Sequence, residues 1–179
     1  PARTLQEVER LIEGDEPIDI VVTPQKSQVL FRLQNVEIVS QLIQGTFPNY
    51  SQLVPQEHTT RAIVDLGELQ RATRTASIFA KDGSGIIRIQ MAPGASGAGT
   101  VTISSRAEEL GDNTGEIEAA VEGDEGKIAF NSRYLSDVLA VLGKDKVAME
   151  MTTSSSPGVI KPVDGDSYIH VVMPMFVQW

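Results

Sequence analysis

The feature that most constrains the fold is a pattern of one helix and several strands that recurs along the chain. Amphipathic helical spacing occurs at residues 1–13, 66–79 and 132–142, and the matching Leu5, Leu69 and Leu135 lie 64 and then 66 residues apart. Alternating apolar residues typical of antiparallel strands follow each helix, and a short strand pattern also precedes the second and third helices. Each repeat therefore reads β-α-β-β-β. Because one such unit cannot cover both its helix and its sheet, we predict an α+β fold in which the units pack in pairs.

The repeats also suggest a division of the chain into two parts. The first repeat begins at its helix and has no opening strand, whereas the second and third open with strands at residues 61–64 and 127–130. We therefore expect half of a truncated domain at residues 1–55 and a complete domain at residues 56–179.

Composition excludes several classes of protein. The chain contains no cysteine, which excludes disulfides, thiolate catalysis and cysteine-ligated zinc. No apolar run approaches the roughly 20 residues of a membrane span, and the start, PARTLQEVERL, has no apolar signal-peptide core. We therefore expect a cytoplasmic protein.

The charge distribution decides whether nucleic acid is a possible ligand. A formal net charge of −9 works against DNA binding unless the cations are gathered on one face. The polar faces of the three helices do carry such cations: Arg3, Arg10, Arg71, Arg74, Arg133 and Lys144. Exposed helix faces commonly carry arginine and lysine without binding anything, so this pattern alone leaves both interpretations open.

The sequence gives little support for a catalytic site or a metal site. The two histidines, His58 in a connection and His170 in a strand, have no nucleophile signature beside them. The acidic turns at residues 13–16, 123–125 and 164–166 lack calcium-loop spacing. The glycine-rich stretch at residues 93–99 lacks the lysine and following helix of a phosphate-binding loop. We predict a protein that is not an enzyme and that has no metal and no cofactor.

Three segments resemble one protein family. They are LIQGTFPNYSQLVP at residues 42–55, IAFNSRYLSDVLAVL at 128–142 and VVMPM at 171–175, in family order and with family spacing. The chain resembles the carboxy-terminal part of bacterial DNA polymerase III β sliding clamps. The resemblance implies half of a middle domain followed by the last domain. In the whole protein it implies a homodimeric ring that surrounds duplex DNA, with sheets outside and helices facing the lumen.

The resemblance also implies roles for individual residues. The six helix cations named above become candidates for sequence-independent DNA contacts. A groove for short client peptides of the pattern QLxLF, from the polymerase III alpha subunit, the clamp loader and other clients, matches Pro48, Gln52, Leu53, Asn131, Tyr134, Ser156, Pro157, Val171, Val172, Met173, Pro174 and Met175. The surface that joins subunits of the ring matches Ile78, Phe79, Glu116 and Glu118.

Two departures from the family pattern affect the peptide groove. Gln52 stands where an arginine is common and Ser84 where a groove-lining aromatic can occur, so peptide preference is expected to differ. The tail continues beyond VVMPM to Trp179, which either covers the groove or is an exposed anchor. The competing interpretation of the whole chain is a peptide-binding interaction module with no DNA role. A basic helical stripe together with acidic sheet faces in the folded protein would favour the clamp, and scattered charge would favour the module.

Overall fold

A computed structural model of the chain describes residues 1–47, 49–109, 111–143, 145–163 and 168–179. The chain divides into two compact units, Pro1–Pro48 and Asn49–Trp179, a few residues before the boundary expected from the repeats. Within the described ranges, none of the helices combines the length and the apolar character needed to cross a membrane.

Unit 1 consists of one helix and a three-stranded antiparallel sheet. The helix α1 spans Ala2–Leu11, and the strands are β1 (Asp19–Val22), β2 (Gln28–Arg32) and β3 (Glu37–Gln41), in the order β1-β2-β3. Arg32 Nε donates a hydrogen bond of 2.7 Å to Glu37 Oε1 across β2 and β3, and this bond raises the pKa of Arg32. These elements are the helix and three following strands that the first repeat predicted.

The core of unit 1 is small and covers only part of the sheet. Val8 packs with Val29 and Phe31 of β2, and a 2.8 Å hydrogen bond between the hydroxyls of Thr4 and Ser40 ties α1 to β3. The predicted apolar face of α1 is therefore only partly buried, because Leu5 remains 59% exposed. The strand on the other side, β1, is left with large exposed apolar side chains: Ile20, Val21 and Val22.

Unit 2 contains the two complete β-α-β-β-β repeats that the sequence predicted. The first comprises β4 (Thr60–Asp65), α2 (Leu66–Lys81), β5 (Ile86–Pro93), β6 (Ala98–Ala107) and β7 (Gly111–Gly123). The second comprises β8 (Gly126–Asn131), α3 (Ser132–Val141), β9 (Lys146–Met151), β10 (Gly158–Pro162) and β11 (His170–Val172). One eight-stranded antiparallel sheet has the order β11-β10-β9-β4-β7-β6-β5-β8.

The two repeats of unit 2 exchange strands. The opening strand β4 pairs with β9, the strand that follows the helix of the other repeat, and β8 pairs with β5 in the same way. Each repeat therefore completes the sheet of its neighbour. The packing of units in pairs was predicted, whereas the exchange of strands was not.

Both helices of unit 2 begin in the same manner. Asp65, the last residue of β4, accepts a hydrogen bond of 2.9 Å from Glu68 N with its side chain. Asn131, the last residue of β8, accepts bonds from Arg133 N and Tyr134 N at 3.0 and 3.3 Å. Asp and Asn are preferred at this position because their oxygens satisfy backbone donors that have no partner within the helix. The strand-to-helix junctions are thus fixed by the local sequence.

The helices pack on one face of the sheet and the other face carries mixed charge. Leu69 of α2 and Leu135 of α3 are fully buried against the apolar side chains of the strands, Phe130 among them. On the opposite face, Glu150 Oε1 lies 3.2 Å from Arg61 Nε and 3.0 Å from Lys161 Nζ. This face is a paired mixture of acids and cations and is not predominantly acidic.

Candidate nucleic-acid interface and peptide site

A groove of about 680 Å³ runs between α2 and α3. The helices lie antiparallel: Gln70 near the start of α2 donates a hydrogen bond of 2.7 Å to the carbonyl oxygen of Leu139 near the end of α3. The end of α2, with Ser77 and Lys81, therefore lies beside the start of α3, with Ser132 and Arg133. Solvent reaches the groove, because Arg74, Ile78 and Arg133 in its lining are exposed.

The groove is positively charged in a chain whose net charge is −9. Its lining includes Arg74, Lys81 and Arg133 and, among the residues that the structure describes, no acidic residue. In the described part of the chain, none of these three cations takes part in an ion pair. The helix dipoles add no net charge, because the positive amino-terminal end of α3 lies beside the negative carboxy-terminal end of α2. These features favour an anionic ligand.

The base of the groove offers a further polar group. The Thr73 hydroxyl is buried, and among the described residues it has no hydrogen-bond partner. Ser77 and Ser136 donate their hydroxyl protons to the carbonyl oxygens of Thr73 and Ser132 in the preceding helical turn. Their oxygens remain able to accept hydrogen bonds.

The six cations predicted for DNA contacts separate into groups. Arg74 and Arg133 line the groove. Arg71 lies outside it, 3.8 Å from Glu68 and beside Glu116 and Glu118 of β7, so its charge is partly compensated. In unit 1, Arg3 is exposed and Arg10 lies 3.2 Å from Glu7. Lys144 lies outside the described residues.

Lys81 is a groove residue that the sequence analysis missed. The helix was expected to end at residue 79, but α2 continues to Lys81. The signal was present, because Lys81 follows Arg74 by seven residues and two turns of a helix return to the same side. Extending the helix by two residues would have added Lys81 to the set.

Most residues predicted for the peptide groove meet at the end of β8. The Met175 amide donates a hydrogen bond of 2.7 Å to the carbonyl oxygen of Ala129, two residues before Asn131. Asn131 caps α3, and Tyr134 in the first turn of that helix is 60% exposed. Because α3 also contacts β11, the tail that carries Met173, 63% exposed, and the start of α3 lie in the same region.

The preceding strand brings the remaining tail residues to the same region. Val172 pairs with Gly158 and Val171 with Val159. This pairing places the end of β11 next to the loop that contains Ser156 and Pro157. Val172 is buried and belongs to the core, so it supports this surface from below, and Pro174 is half-buried.

Gln52 and Leu53 form a separate local structure. The segment Tyr50–Gln52 is a short 3-10 helix capped by Asn49, and Leu53 N donates to the carbonyl oxygen of Tyr50 at 2.9 Å. Both side chains are exposed. The hydrogen bonds found for them join neighbours within this segment, and Pro48 lies outside the described residues.

The residues predicted for subunit contact lie on two elements, α2 and β7. Ile78 is 58% exposed, as its helical position predicted, and it lines the groove between α2 and α3, while Phe79 is half-buried. The strand β7 pairs with β6 over residues 111–120 but with β4 only over residues 120–123. Among the described pairings one side of β7 is therefore free before Ala120, and Glu116 and Glu118 lie on this free stretch.

The histidines form no recognisable catalytic arrangement. His170 Nδ1 lies 2.9 Å from the Tyr168 hydroxyl, and both groups are exposed. Across the described ranges, no group of three or more histidine and acidic side chains has the geometry to hold a metal ion.

Comparison with known proteins identifies the family. The family described as DNA polymerase III beta subunit, C-terminal domain, matches residues 51–176, and the central domain of the same subunit matches residues 1–49. Proteins named beta sliding clamp from Staphylococcus aureus and Staphylococcus epidermidis are 32% identical over 178 residues, which is 98% of this chain. The chain spans only 45% of the length of these relatives.

Solved structures agree with this assignment. The sliding clamp of Bacillus subtilis superposes with a TM-score of 0.72 at 28% identity, covering 99% of this chain and 46% of that one. The clamp of Pseudomonas aeruginosa gives a TM-score of 0.72 at 26% identity, covering 99% and 47%. The predicted sliding-clamp fold is confirmed, and the chain belongs to the DNA polymerase III beta subunit family.

Proposed function

We propose that the protein to which this chain belongs is a sliding clamp, a cytoplasmic, non-catalytic processivity factor that surrounds duplex DNA as a homodimeric ring. Its partners are the polymerase III alpha subunit, the clamp loader and other proteins with clamp-binding peptides. Unit 1 is the second half of the middle domain and unit 2 the complete last domain. The observation that carries the DNA role is the groove between α2 and α3, which has three cations and no acid in its lining.

The physical chemistry of the groove suits a phosphate backbone. Affinity for DNA without regard to sequence comes from cations that neutralise phosphates and release counterions. Arg74, Lys81 and Arg133 are free of ion pairs among the described residues, so contact with phosphate breaks no existing interaction. The groove offers phosphate contacts but no element that enters a DNA groove to read bases. Binding of this kind holds a duplex while allowing it to move.

Amide chemical-shift mapping tests this proposal directly. A short duplex of arbitrary sequence, added at low salt, should shift the amides of residues 74–81 and 132–136 and leave those on the outer face of the sheet unchanged. The shifts should disappear as salt is raised, because counterion release drives the contact. Shifts centred on the sheet face, or no shifts at low salt, would contradict the DNA role.

The peptide role is supported by the surface around Met173, Met175 and Tyr134. Methionine side chains adapt to differently shaped partners, and partners that share one surface favour such adaptable groups. Asn131 and Tyr134 add polar groups that can orient a bound peptide. The resemblance draws another wall of this groove from the first half of the middle domain, so we expect this chain to bind peptide more weakly than the whole protein.

Fluorescence anisotropy of a labelled QLxLF peptide measures this binding. Exchanging both Met173 and Met175 for alanine should weaken it, whereas Val141→Ala, an exposed change on α3, is the matched control. If the double variant binds as well as the wild type, the peptide site lies elsewhere. If neither binds, repeating the titration with the first half of the middle domain restored separates a missing wall from a wrong assignment.

The alternative function, a peptide-binding module without a DNA role, shares the tail surface and differs only at the helices. The cation-lined groove between α2 and α3 favours the clamp. A chain that binds the peptide but gives no duplex-induced shifts would favour the module.

A further inference from the structure

The tail after β11 crosses from one edge of the sheet to the other. Residues 170–172 pair with β10, the neighbour of β11 in the sheet order. Three residues later the Met175 amide donates to Ala129 on β8, the strand at the opposite end of that order. The tail therefore joins the two edge strands of the eight-stranded sheet.

Beyond Met175 the described residues show no further backbone hydrogen bond between the tail and β8. The tail nevertheless runs back toward the start of β8, because Trp179 lines a depression together with Glu125, Lys127 and Met151. The side chain is 52% exposed, so about half of its surface is covered, whereas Phe176 is 85% exposed.

The depression lined by Trp179 lies at a closely bonded corner of the molecule. The Thr60 hydroxyl donates to the carbonyl oxygen of Asp124 at 2.9 Å, and the Asp124 amide donates to the carbonyl oxygen of Thr59 at 3.0 Å. A Cβ added to Gly126 would lie 2.8 Å from Met151 Sδ and 2.9 Å from Thr60 Oγ1, so β4, β8 and β9 meet closely here. These contacts join β4, β8 and β9 without the tail, so the corner offers the indole a surface that is independent of the strap.

We infer that residues 174–179 are a strap anchored by Trp179, and that this strap positions Met173 and Met175 for peptide binding. Trp179 is a positioning residue: it does not belong to the apolar surface at the end of β8 but fixes the chain that presents it. Without the anchor, the single backbone bond found at Met175 has to hold the tail against β8. The role in peptide binding rests on the function proposed above, while the anchoring of the strap does not.

Amide hydrogen exchange tests the anchor without any ligand. The change Trp179→Ala should speed exchange of the Met175 amide by about tenfold, because local opening of the strap becomes easier. The matched control Phe176→Ala removes a more exposed aromatic side chain of the same strap and should change that rate by less than about twofold. The Ile103 amide in the central strand β6 should keep its rate in both variants, which shows that the fold is intact.

Fluorescence gives a second readout, because Trp179 is the only tryptophan in the chain. Emission from the native chain should lie to the blue of emission from the chain unfolded in urea, since half of the indole is covered. Equal Met175 exchange in the wild type and Trp179→Ala, or native emission that matches the unfolded chain, would overturn the strap.

The functional consequence is measured with the labelled QLxLF peptide. Trp179→Ala should weaken binding by about fivefold, the lower end of typical coupling between linked sites, and Phe176→Ala should leave the affinity unchanged. Equal affinity of the wild type and Trp179→Ala would overturn the positioning role. If the wild type does not bind, the comparison is repeated with the first half of the middle domain restored, and continued absence of binding would count against the proposed peptide function. Exchange of the Met175 amide decides the strap in either case.

Discussion

The charge cluster on the outer face of the sheet gives a sharp prediction about stability. Glu150 is only 9% exposed and its Oε1 atom contacts both Arg61 and Lys161, at 3.2 and 3.0 Å. Glu150→Gln keeps the size of the side chain but removes the charge, leaving two cations without their shared partner. Losing one member of a fully buried pair costs about 3–5 kcal/mol.

The cost here should lie below that range. Arg61 and Lys161 are 25% and 30% exposed, so water reaches both, and Arg61 keeps a contact of 3.6 Å with Glu122. We therefore expect Glu150→Gln to lower the free energy of unfolding by about 2 kcal/mol. In urea this corresponds to a midpoint lower by roughly 1 M.

The assay is urea unfolding followed by the emission of Trp179, which reports on unit 2. The matched control is Glu122→Gln, which removes the same charge from a side chain that is 63% exposed and should cost less than about 0.5 kcal/mol. Equal losses in the two variants, or a loss below about 0.5 kcal/mol for Glu150→Gln, would refute the reasoning that burial makes this carboxylate important.

Two further predictions concern packing and the exposed edge of unit 1. Gly158→Ala places a Cβ 2.5 Å from Phe130 Cζ in a closed core and should lower the free energy of unfolding, measured in urea, by about 1–3 kcal/mol. In the control Gly143→Ala the added Cβ meets no described atom within 4 Å, so the loss should be small. Equal losses in the two variants would contradict the crowding at Gly158. Ile20→Lys on the edge strand β1 should reduce the concentration-dependent association seen in sedimentation, because a charged side chain discourages pairing of strand edges. The control Val36→Lys, in a turn, should leave that association unchanged. A wild type that stays monomeric at all concentrations would contradict the prediction.

The repeated architecture of unit 2 could be predicted because local and long-range signals agree. Alternation gave the strands and the 64- and 66-residue spacing of Leu5, Leu69 and Leu135 gave the repeats. The capping residues Asp65 and Asn131 stand where each opening strand meets its helix. Such agreement between levels makes a fold readable from its sequence.

The exchange of strands between the repeats could not be predicted in this way. Which strand lies beside β4 depends on how two repeats pack, and the apolar pattern of β4 is compatible with several neighbours. The same limit applies to α1. Helical spacing placed Leu5 on the apolar face, but burial depends on what covers that face, and in unit 1 the sheet covers Val8 instead.

In the candidate sites, the exposure of single residues could be predicted from the sequence, but their arrangement in space could not. Arg74 and Arg133 could be predicted as exposed cations, but their shared groove depends on the antiparallel packing of α2 and α3. Arg71 differs from Arg74 by one turn of helix, and its carboxylate neighbours on β7 come from residues more than 40 positions away in the sequence. The sequence left the place of Trp179 open, because that place depends on the path of the tail back toward the start of β8.

The central claim is that the groove between α2 and α3 holds the DNA backbone, and the salt dependence of duplex binding tests it most directly. A labelled duplex is titrated with the wild type and with two triple variants that each replace two arginines and one lysine by glutamine. The groove variant changes Arg74, Lys81 and Arg133, and the matched control changes three cations outside the groove, Arg88, Arg106 and Lys127. Both take the formal net charge from −9 to −12, because each loses three positive charges.

If the groove holds the duplex, the groove variant should bind most weakly and lose about 0.9 from the slope of log affinity against log salt for each phosphate contact removed. The control should keep the slope of the wild type, with affinity changed only by the general charge. Equal slopes and affinities in the two variants would contradict the account, because they would show that net charge and not the groove between the helices determines DNA binding.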